Sequence, residues 1–78
     1  MNIAQLITLA LSCHSEYREP NDTEYMHISM FYKTQIENKM SVTEFISNLD
    51  KTADFVLLKK DNKVKLFIEN WLIRIENM

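Results

Sequence analysis

Glycine is absent from this 78-residue sequence, and proline and cysteine each occur once. Without glycine, phosphate-cradling loops, the dinucleotide fingerprint and EF-hand loops are excluded, because each needs a position where a Cβ would clash. The single Cys13 excludes an internal disulfide. Together with His14 and His27 it cannot build a structural zinc site of the all-Cys/His type. No apolar run reaches the roughly eighteen residues of a membrane-spanning helix, so no membrane insertion is expected. Charge of one sign is also scarce. Eleven acidic against nine basic residues leave a net charge of -2, so no global field draws the protein to nucleic acid.

What is present is a 46% hydrophobic chain, enough for one small core and too apolar for a disordered tail. A single helical domain over residues 1–78 is expected. The opening Met1–Cys13 stretch is like a short secretory h-region, but no Lys or Arg precedes it and Gln5 and Thr8 interrupt it. A cytoplasmic location is the expectation.

Apolar spacing carries the fold prediction. Ile3, Leu6, Ile7, Ala10, Leu11, Cys13, His14 and Tyr17 fall on one side of a helix that must end before Pro20. Asp22 or Thr23 can cap a second helix over 24–40, with a stripe of Tyr25, Ile28, Tyr32, Ile36 and Met40. Met26 and Met30 flank that stripe on one side and Phe31 on the other. Ser41-Val42-Thr43-Glu44 is a capping box opening a short helix with Val42, Phe45, Ile46 and Leu49. Val64, Phe67, Ile68, Trp71, Leu72, Ile75 and Met78 recur at helical spacing and predict a final helix over about 62–77, capped by Asp61 or Asn62. Residues 53–60 read as a short helix. The expected fold is all-α, a compact bundle of four to five short helices. The alternative is α+β with a hairpin at 54–68, which lacks the glycine that a tight primed turn favours.

Few residues assemble into chemistry. Cys13 and His14 are adjacent on a helix and point about 100° apart, so they cannot sustain a nucleophile–base pair. Cys13 reads as a small buried hydrophobe and His14 as a histidine at the core edge. Glu24 and His27 form one Glu-x-x-His, a motif that di-metal bundle sites use twice alongside further carboxylates. Neither a catalytic, a cofactor nor a metal site is expected. Glu16, Glu19, Asp22 and Glu24 make an acidic patch around Arg18.

Charge divides along the chain: residues 1–50 hold three basic and seven acidic side chains, net -4, and residues 51–78 hold six and four, net +2. Lys51, Lys59, Lys60, Lys63 and Lys65 can therefore contact phosphate, and helices at 42–50 and 53–60 can be read as a helix-turn-helix. Against that, the cluster has no Arg, and Ala53–Leu58 is apolar enough to belong in a core.

An apolar excess points elsewhere. Leu66 and Ile73 lie opposite the main stripe of the final helix, and Met26 and Met30 widen the apolar side of the second. A short chain cannot cover every helix, and exposed apolar stripes mark partner or self-association surfaces. The expected function is a non-enzymatic protein–protein interaction module. It docks Met26, Met30, Leu66 and Ile73 on a second copy or on a larger protein, as a regulator or inhibitor of the kind mobile elements often encode. A nucleic-acid-binding regulator using the Lys51–Lys65 end is the alternative.

Overall fold

The computed structural model describes residues 1–78 as five helices without a strand. They are α1 (Ile3–Glu16), α2 (Asp22–Gln35), α3 (Val42–Leu49), α4 (Ala53–Leu57) and α5 (Asn62–Glu76). The all-α reading stands and the hairpin alternative falls, because residues 54–68 hold α4, a turn and the start of α5.

Each helix start is dictated by a polar side chain that accepts from otherwise orphaned amides. Asn2 caps α1 and Asn21 caps α2, each in a full capping box, with Gln5 and Glu24 returning the bond. Asn21 thus replaces the expected Asp22 or Thr23, whose place is inside the first turn. Ser41 accepts from the Glu44 amide at 3.1 Å, but Glu44 makes no return bond, so only half of the predicted box forms. Thr52 caps α4, and Asp61 caps α5 by accepting from Lys63 and Val64.

Helix ends depart more from expectation, and the missing glycine is the reason. Tyr17, Asn38, Lys59 and Lys60 all take positive φ, the region glycine occupies at least cost. Tyr17 closes α1 at φ 53, with its amide donating to His14 and that of Arg18 to Cys13. This turn carries the Tyr17 side chain off the core stripe to 94% exposure, correcting its expected place inside. Relieving the left-handed strain with Tyr17→Gly should stabilise the fold by about 0.5–1 kcal/mol, read as a higher midpoint in thermal circular dichroism. An unchanged or lower midpoint would show that the Tyr17 backbone is unstrained. Similarly, α2 stops at Gln35 rather than Met40, where the chain turns through Asn38 at φ 67. Helix α4 stops at Leu57 rather than residue 60, ahead of two left-handed lysines.

Sixteen buried apolar residues form one continuous core. Helix α5 is its centre, packing on α1, α2 and α3 and burying Val64, Ile68, Trp71 and Leu72. Phe31, expected on a flank of α2, is buried edge-on to Phe45 at 5.7 Å and joins α2 to α3. The radius of gyration, 11.5 Å, is what close packing gives at this length, so no arm extends from the bundle. No buried side-chain N or O atom lacks a hydrogen-bond partner.

Candidate functional site

Because α5 buries one face against three helices, its opposite face is left to solvent. Leu66 and Ile73 occupy that face two turns apart, at 54% and 40% exposure. Helix α2 repeats the pattern: its core side is Ile28 and Phe31, and Met26 and Met30 stand at 55% and 58% exposure. At 100° per residue these methionines point nearly opposite that core side, so they do not widen the buried side as expected; they form a separate outer ridge. Neither pair lines a cavity.

The lysine-rich end is less uniform than its sequence. Lys65 bridges to Asp50 at 2.9 Å, pinning the start of α5 to the end of α3. Lys51, Lys59, Lys60 and Lys63 are exposed, and their ammonium groups bond to no protein group. The neighbouring apolar run does not belong in the core as expected. Of α4 only Phe55 is buried, while Val56 and Leu57 stand at 51% and 80% exposure. Sequence reading missed these two. The signal was available: four consecutive apolar residues on a helix, Phe55 to Leu58, cannot all face one side.

The acidic patch is partly neutralised by its one cation. The Arg18 guanidinium reaches Glu16 at 2.6 Å and grips both Glu24 oxygens at 2.9 and 3.3 Å. Glu24 also accepts from the Asn21 amide, so this carboxylate is already committed and cannot serve His27 in a shared site. The Arg18 bond, and after it the Asn21 bond, hold the Glu24 carboxyl below the usual range. A carboxyl depressed on folding contributes stability above the unfolded value of about 4.3, and that contribution is lost as pH falls through the lower folded value. Glu24→Gln should therefore melt a few degrees below the parent at neutral pH, with the gap closing as the solution is acidified below the unfolded carboxyl value. A gap independent of pH would mean that the Arg18–Glu24 pair stabilises nothing.

Cys13 and His14 show no catalytic geometry. Cys13 is buried and its burial pushes the thiol up, which keeps it protonated and unreactive. His14 sits at the core edge, its ring edge-on to Phe67 with centroids 5.5 Å apart. The largest hollow, about 480 Å³, runs along α1 past Gln5, Thr8 and Ser12 to the Arg18–Glu24 pair. It is open, and its only charged groups already neutralise each other. Cys13→Ser and His14→Ala are expected to leave biological activity intact apart from modest stability loss. A folded variant without activity would overturn that assignment.

No protein family, curated protein or solved structure matches the chain. The outward apolar ridges and the lysine-rich corner are therefore judged on their own physical chemistry.

Proposed function

We propose that this chain is a non-enzymatic protein-interaction module, a regulator or inhibitor that docks an apolar helical face on a larger protein or on a second copy of itself. The observation that carries the reading is the Leu66–Ile73 face of α5. The helix has already satisfied its packing on the other side, so two large aliphatic side chains in register on the outside serve no purpose in the monomer. Met26 and Met30 supply a second ridge of adaptable side chains suited to irregular partner surfaces. A small bundle also gains stability from association.

A tagged pull-down with mass spectrometry, run beside light scattering, tests the proposal. The parent should capture a specific protein or dimerise, and a variant charged at Leu66 and Ile73 should do neither. A strict monomer without partners would overturn it. The four free lysines favour a second reading as a nucleic-acid binder, for which salt-dependent retention on a DNA column is the deciding observation.

A further inference from the structure

We infer that the corner between α4 and α5 is a docking site for an acidic, apolar segment of a partner protein. Val56 and Leu57 form its centre, and Lys59 and Lys60, in the left-handed turn that closes α4, supply its positive charge. The inference rests on the reading of the chain as a docking module, but it uses a face distinct from Leu66–Ile73.

Three observations converge on this corner. First, Phe55 is the only buried residue of α4, and Val56 and Leu57 stand at the surface outside the core cluster. Second, Lys59 and Lys60 adopt φ 57 and 55, with their amides donating to Val56 at 2.9 Å and Phe55 at 3.3 Å. That closure suits glycine or asparagine, and the α2–α3 turn of this chain does use Asn38. Two lysines held there against backbone preference place charge beside the apolar pair, and such strain gathers at binding sites.

Third, the local charge is net positive: over residues 50–65, Lys51, Lys59, Lys60, Lys63 and Lys65 outnumber Asp50, Asp54 and Asp61. Asp50 is engaged by Lys65, and Asp61 by the amides of Lys63 and Val64. Asp54 lines a hollow beside Met1, Asn2 and Ile3 at the start of α1.

An apolar centre bordered by charge is the anatomy of a protein interface, and the sign of that charge selects an acidic partner. Single-stranded nucleic acid wants aromatic or arginine platforms, which the corner lacks. An interfacial membrane helix buries a long apolar face, and α4 has five residues.

The test titrates the whole chain with a labelled peptide of alternating Glu and Leu. A Lys/Leu peptide, anionic phosphatidylserine vesicles and a DNA duplex run in parallel. The parent should bind the Glu/Leu peptide, less tightly as salt rises, and should prefer it to the other three probes. Replacing both Lys59 and Lys60 with Gly should weaken binding by about three- to tenfold while raising the thermal midpoint, which separates lost contacts from lost folding. Leu57→Ser should weaken binding as well.

No binding to the peptide, unchanged affinity in the lysine variant, or tighter binding to vesicles or duplex would each overturn the inference. The variant charged at Leu66 and Ile73 should still bind the peptide. If it does not, the peptide sits on α5 and the corner is not the site.

Discussion

Trp71→Ala should come close to unfolding the protein, with a loss of about 3–5 kcal/mol from a total stability of about 5–10 kcal/mol. Trp71 lies midway along the buried face of the central helix, 3% exposed, with Phe67 stacked on it at 6.3 Å. Phe67 in turn meets His14 of α1, so the indole supports one of the contacts between α1 and α5. In a chain this short the void cannot be closed by distant parts of the core. Denaturant unfolding followed by circular dichroism checks the prediction. A variant as stable as the parent would contradict the register of α5 itself.

Leu66→Lys combined with Ile73→Glu should have the opposite character: a folded protein that no longer assembles. Both side chains stand outside the core, where substitutions typically change stability by no more than about 0.5 kcal/mol. The same changes on a covered face would bury two charges and unfold the chain. Helical content and thermal midpoint should therefore match the parent, while dimerisation or partner capture disappears. Loss of helical structure would show that the face is covered. Retained assembly with retained fold would remove α5 from the interface.

The legibility of this fold in its sequence varied with how each helix announces itself. Helix α5 was readable because seven apolar residues recur at helical spacing behind a capping Asp61. Helix α3 was readable for the same combination of stripe and cap, and Val42, Phe45, Ile46 and Leu49 are all buried. Helix α1 was readable from its stripe alone, and its Asn2 cap was missed. The ends of α2 and α4 were not, because glycine normally marks such ends and this chain turns on Asn38, Lys59 and Lys60 instead.

Helix α2 also misled through its composition. Tyr25 and Tyr32 count as apolar, yet Tyr25 lies at the edge, where its hydroxyl accepts from Arg74 at 2.6 Å. The true core side is rotated toward Phe31, which sends Met26 and Met30 outward. The exposure of Leu66 and Ile73 followed from periodicity. That of Val56 and Leu57 was signalled by four consecutive apolar residues, Phe55 to Leu58, which cannot all face one side of a helix.

Hydroxyl-radical footprinting of the free chain against its assembled or captured form tests the docking account most directly. Oxidation reports side-chain access, and methionine is among the most readily oxidised residues. The account predicts that Leu66 and Ile73, with Met26 and Met30, react in the free chain and are protected on assembly. Tyr17, the most exposed aromatic and far from both ridges in sequence, should stay reactive throughout. Equal oxidation of Leu66 and Ile73 in the free and assembled states would contradict it.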